Sequence, residues 1–238
     1  VITRIALHVT LTVASFGLAS SAFAQASPPA ATGPATKPAE PLKLTIDGSI
    51  TPDLAPVVGR MAEVFYETYP KLLARFETAA HPAARHIKLV FVPTMDHPAH
   101  AAGGTITVSA DWLRKHPDDV GLFTHELMHI VQGYPPSKHG DFGWFTEGIA
   151  DYARHACGPA KQPGWALPTK FTPKNSYRDA YRVTGRFLLW LDDKHPGVVD
   201  QLHRKMQDGE MTLDDFKGLT GKTVDELWAD CVADVNAK

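Results

Sequence analysis

An α+β domain is predicted, with a small mixed sheet ahead of one histidine-bearing helix and a mainly helical C-terminal half. Three observations predict it. Alternating apolar runs occur only in the first part of the chain, apolar residues recur at helical spacing from Val120 onward, and start and stop signals bracket the helical runs.

Taken in order, Leu42-Lys-Leu-Thr-Ile46 alternates like a strand, and residues 57–76 carry Met61, Val64, Phe65, Leu72 and Phe76 at helical spacing. Ile87-Lys-Leu-Val-Phe-Val92 is a second strand, and Gly103-Gly104-Thr-Ile-Thr-Val-Ser109 reads as an alternating strand just before the next helix. That helix is expected to start at His116-Pro-Asp-Asp119, where Pro117 suits a first turn and Asp118 and Asp119 complement the helix dipole. Val120, Leu122, Phe123, Leu127, Ile130 and Val131 give it a buried face, and Gly133 with Tyr134-Pro135-Pro136 ends it. A short helix follows around Ile149, Ala150 and Tyr152. Residues 176–192 carry a stripe of Tyr177, Tyr181, Thr184, Leu188 and Leu191, residues 198–206 carry another, and Thr223-Val-Asp-Glu226 is a capping box opening a last helix through Val235. Gly221-Lys222-Thr223 is not a phosphate loop, because the required upstream glycine would fall at Phe216.

The N-terminus reads as an export signal: Arg4, an apolar stretch over residues 5–18, and an Ala22-Phe23-Ala24 ending that places cleavage before Gln25. The expected organisation is a signal peptide (1–24), a Pro/Ala-rich linker (25–41) and one domain (42–238). The apolar stretch is too short for a membrane span and no cysteine lies near the cleavage point, so no stable membrane anchor is expected after cleavage. The expected location is periplasmic or extracellular, and the expected state a monomer. With 24 Lys+Arg against 26 Asp+Glu, a basic surface for nucleic acid is not supported.

The chemistry is concentrated in His125-Glu126-Leu127-Met128-His129. Residues four apart on a helix lie one above the other, so His125 and His129 can grip one metal ion while Glu126 is turned aside, where its carboxylate can take a proton from a water. A catalytic zinc takes three protein ligands and keeps one open position, so a third ligand is needed, and Glu147 is the candidate. Asp151, one turn beyond Glu147, is positioned either to accept the free ring N–H of a liganding histidine or to stand as an ordinary surface carboxylate. Cys157 and Cys231 read either as a disulfide tying the end of the Glu147 helix to the last helix or as two buried free thiols. The remaining histidines, among them His97, His100, His155 and His195, lack ligand spacing and read as structural or solvated.

Trp144-Phe145-Thr146-Glu147-Gly148-Ile149-Ala150 resembles the segment around the zinc-binding glutamate of metallopeptidases whose third ligand is a downstream Glu. His125-Glu-Leu-Met-His129-Ile-Val-Gln132, Glu147-Gly-Ile-Ala-Asp151-Tyr-Ala-Arg154, Tyr181-Arg-Val-Thr-Gly-Arg-Phe-Leu188 and Gly221-Lys-Thr-Val-Asp-Glu-Leu-Trp228 together resemble, in order, the blocks of the basic secretory protein family. The resemblance runs from about Leu42 onward and implies a zincin-like metallopeptidase domain acting on peptides or proteins. It also implies that the strand before the metal helix lines the cleft and pairs with extended substrate, the alternative being an ordinary edge strand. The near-neutral charge departs from the basic character in the family's name.

The expected reaction is peptide hydrolysis with Zn²⁺ on His125, His129 and Glu147, water activated with Glu126 as general base, and an oxyanion donor for which Tyr181 is the first candidate, ahead of Tyr177, Tyr134 and His139. The alternatives are a zinc-containing but inactive exported binding or defence protein, and a site serving another hydrolysis or no metal at all.

Overall fold

Buried and exposed side chains alternate along His86–Val92 (β2), where Ile87, Leu89 and Phe91 turn inward, and this strand organises the sheet. The computed structural model describes residues 40–47 and 52–237; the expected signal segment and most of the expected linker lie outside them. Together with Lys43–Asp47 (β1), Ala99–Ala102 (β3) and Thr105–Ser109 (β4), β2 forms a four-stranded sheet in the order β1-β2-β4-β3. β1 and β4 both run parallel to β2, whereas β3 is antiparallel to β4. A parallel pair needs a long crossover, and Ala55–Phe76 (α1) supplies it between β1 and β2. Leu89 lies opposite Ile106 and Phe91 opposite Val108, so one face of the sheet enters the core beside Met61, Phe65, Tyr69 and Leu72 of α1.

The rest of the domain is helical: Ala110–Lys115 (α2), Leu122–Gln132 (α3), Gly143–Cys157 (α4), Tyr181–Lys194 (α5), Val198–Gln207 (α6), Asp214–Thr220 (α7) and Val224–Asn236 (α8). The architecture is thus the expected α+β arrangement, and the Thr223–Glu226 capping box is present at the start of α8.

Four readings of the sequence are corrected. Gly103 and Gly104 do not begin a strand; with φ of 53° and 81° they form the two-residue turn of a β3–β4 hairpin, a conformation that glycine adopts without steric cost. The edge strand on the cleft side is therefore β3, with β1 at the opposite edge, and β4 is interior. The histidine-bearing helix starts at Leu122 and not at Pro117, because Asp119 accepts hydrogen bonds from Trp112 Nε1 (2.9 Å) and an Arg154 guanidinium nitrogen (2.6 Å), and residues 119–121 form a 3₁₀ turn. The stripe from 176 to 192 is broken: a 3₁₀ turn with its own Ser176–Asp179 capping box precedes Ala180, and α5 starts only at Tyr181.

The fourth correction concerns Cys157 and Cys231, which are both buried free thiols and form no bridge. The physical reason is their surroundings. The Cys157 thiol senses Arg75, Lys71 and Asp200, whereas Cys231 senses Arg186 and Asp234, so the two face different neighbours. Burial raises both thiols, Cys231 to about 12, which keeps them protonated and unreactive. Thiol titration under non-reducing conditions should therefore count two thiols after unfolding and no rapidly reacting thiol in the native protein; a count of zero on unfolding would establish the bridge instead.

Candidate metal centre

Every residue of α3 except His129 and Ile130 is buried, so a polar side chain on this helix carries a desolvation cost unless a partner meets it. Gly133 closes the helix in the left-handed conformation (φ 50°), donating its N–H to the His129 carbonyl at 3.3 Å. α4 crosses beside α3 and brings Glu147 to the two histidines. It is held there by α5 at very short range: a β-carbon on Gly148 would lie 2.2 Å from Thr184 Cγ2, so only glycine permits this approach.

The three side chains converge. His125 Nε2 lies 3.1 Å from His129 Nε2 and 3.2 Å from Glu147 Oε2, and His129 Nε2 lies 3.6 Å from that same oxygen. One ligand atom from each lies within 4.8 Å of the others, so the group can hold a metal ion.

The donor set fits a cation. His125 Nδ1 meets Asp151 Oδ1 at 2.8 Å, and a carboxylate only accepts, so that nitrogen carries the hydrogen. Gln132 Nε2 donates to the Thr146 carbonyl (2.8 Å), which turns its Oε1 towards His129 Nδ1 (2.7 Å) and places a hydrogen there as well. In the neutral rings both Nε2 atoms therefore present lone pairs, and these face each other and a carboxylate oxygen. Without a metal the cluster needs a proton. Burial opposes charge on His125, yet the Asp151 and Glu147 carboxylates outweigh it and raise the ring to about 10. Burial likewise opposes charge on Glu147, and its hydrogen bonds to the two histidines still lower it to about 2. A metal ion would replace that proton.

Glu126 stands apart from the ligands. It is buried, its Oε2 has no hydrogen-bond partner, and burial raises its carboxyl above the ordinary range. It borders a cleft of about 1270 Å³ shared with His125, His129, Glu147, Tyr181 and the edge strand β3.

Of the four oxyanion candidates, Tyr181 is the one that stands against the His125 ring and makes no side-chain hydrogen bond among the described residues. Its ring lies nearly parallel to that of His125 (15°, centroids 6.2 Å apart) and it is 55% exposed. Tyr177 is buried and accepts from Arg178 Nε (3.2 Å), Tyr134 bonds His203 Nδ1 (2.7 Å), and His139 bonds Glu210 (3.1 Å). Tyr181 is carried by a strained backbone: Ala180 has φ 61° and ψ −170°, a region nearly confined to glycine, and Tyr181 has φ 43°.

Asp151 is thus 3% exposed and bonded to His125, not a surface carboxylate. Gln132 was missed as a site residue; its position three residues after His129, on the same helix face, was the available signal. Arg154, bonded to Asp119 and stacked 4.1 Å from the Trp165 ring centroid, is a second cleft residue that sequence spacing does not mark.

Gly148→Ala should overpack the α4–α5 contact, costing ~1–3 kcal/mol. Calorimetric unfolding should show a lower midpoint, and metal affinity should fall because Glu147 is the adjacent residue; an unchanged midpoint would show that Thr184 yields freely.

No curated protein and no solved structure gives a match to this chain. A family model described as peptidase of plants and bacteria matches residues 53–231, a span containing α3, α4, α5 and the converging side chains. The chain belongs to this family, the basic secretory proteins.

Proposed function

We propose that this chain is an exported zinc metallopeptidase with a zincin-like cleft, cleaving peptide bonds in peptide or protein substrates. The observation that carries the reading is the pairing of two opposed imidazole lone pairs and a carboxylate oxygen with a neighbouring buried glutamate whose Oε2 is buried without a hydrogen-bond partner. A purely structural metal site has no use for such a glutamate, which argues against an inactive binding protein.

His125, His129 and Glu147 would hold the ion. Zinc, when bound, supplies Lewis acidity that makes water a better nucleophile and the scissile carbonyl a better electrophile. Asp151 and Gln132 keep the histidines in the tautomer that offers Nε2. Glu126, on the cleft wall, accepts the proton of the attacking water on its carboxylate and returns a proton to the leaving amine. Its raised pKa suits both steps, since the basicity of the anion and the acidity of the acid are then closer to balance at neutral pH. Tyr181 donates its phenolic hydrogen to the carbonyl oxygen as charge develops there. A phenol is protonated at neutral pH and so is available as a donor there.

Glu126→Gln should retain one zinc per chain while peptide-library turnover falls by a factor of ~10²–10⁴. Undiminished cleavage by that variant would remove the general base from the scheme. In the wild type, kcat/KM should be lost as pH falls through the pKa of Glu126, because only the anion accepts a proton, and burial places this acid limb above the ~4.3 of an ordinary glutamate.

Tyr181→Phe should lower kcat by ~10² with little change in KM, as expected for a donor used mainly in the transition state. Equal kcat in the two proteins would assign the oxyanion to another donor.

A further inference from the structure

His97 and His100 lie outside the central group, and their spacing in the sequence carries no ligand signature. They flank Pro98 and Ala99 where the chain enters the edge strand β3. That turn brings His97 Nε2 to 3.1 Å from His100 Nδ1, with ring centroids 5.3 Å apart and the planes inclined by 57°. Both side chains are exposed, so neither is held in place by packing and both are open to solvent ligands. Both also border the same cleft as Glu126 and His129.

The geometry suits two neighbouring ligands on one ion. At a metal–nitrogen distance of ~2.05 Å, nitrogens 3.1 Å apart subtend about 98° at the metal, between the octahedral and tetrahedral angles. Imidazole nitrogen is a donor that zinc, nickel and copper accept and that hard cations such as calcium do not favour. With the ion absent, one ring donates an N–H to the other; on metal binding that ring carries its hydrogen on its other nitrogen instead, so both facing nitrogens offer lone pairs and one exposed hydrogen bond is given up.

We propose that His97 and His100 form a second, weaker binding site for a divalent transition-metal ion on the wall of the cleft. Two protein ligands instead of three make it weaker than the central group, with water completing the coordination. Because the ion would sit on the edge-strand side of the cleft, its binding would obstruct substrate and make excess metal inhibitory. The inhibition rests on the peptidase reading; the binding does not.

Isothermal titration of the full chain with Zn²⁺, in buffer above the usual imidazole pKa, separates the two. Wild type should show a tight event followed by a weaker one, and His97→Ala and His100→Ala should each lose the second event and keep the first. A tight event with no weaker one in wild type, or a weaker event that survives in either variant, would overturn the proposal. Turnover assays on the same proteins should show inhibition by excess Zn²⁺ that is relieved in the variants; equal inhibition in all three would overturn the obstruction while leaving the binding result standing. Absence of the tight event would instead refute the central site, a result independent of the histidine pair.

Discussion

Two imidazole lone pairs and a carboxylate oxygen cannot be brought within a few ångströms of one another inside a largely buried cleft unless positive charge joins them. The surrounding structure serves that constraint. Asp151 and Gln132 place hydrogens on the outer ring nitrogens, which turns both inner nitrogens into acceptors. The consequence for a metal-free protein is a histidine raised to about 10 and a glutamate lowered to about 2, the signature of a site that must bind a cation or a proton.

Holding these groups together requires rigid support, and it comes from helix packing. α3 presents both histidines from a buried helix ended by a left-handed glycine, while α4 delivers Glu147 and Asp151 from the other side. Gly148 lets α5 approach α4 so closely that the start of α5, with Tyr181, reaches the same cleft. The strained conformation at Ala180 and Tyr181 carries a cost of ~1–3 kcal/mol per residue. It is held by the capping box before it and by Thr184, whose Oγ1 donates to the Tyr177 carbonyl (2.6 Å) and whose N–H donates to the Ala180 carbonyl (3.2 Å). Strain retained beside a cleft, against such well-made supports, is consistent with a tyrosine whose position matters more than its local stability.

Much of this was readable residue by residue. The four-residue spacing of His125 and His129 and of Glu147 and Asp151 is a property of one helix turn, so the shared faces follow from local geometry alone. Likewise the Thr223–Glu226 capping box is a contact between neighbours in the chain. The readings that failed did so where a distant residue prevailed. Pro117-Asp118-Asp119 has every local feature of a helix start, but Asp119 is drawn to Trp112 and Arg154, thirty-five residues away in the latter case, and the helix begins after it. The stripe from Tyr177 to Leu191 has helical spacing throughout, and Ala180 breaks it with a backbone conformation that alanine does not signal.

By itself, then, the sequence determined the α+β class and the two helical faces from which His125, His129 and Glu147 converge as a group that can hold a metal ion, with Glu126 beside it, because these depend on spacing within one element and on side-chain chemistry. The tertiary structure alone decided which strand forms the cleft edge, that Cys157 and Cys231 face different neighbours, that Gln132 is turned to His129 by a carbonyl on α4, and that His97 and His100 meet. Each of these depends on the distance between segments far apart in the chain or on the direction of a turn, and such distances are set by how the helices and the sheet pack against one another, which no local pattern encodes.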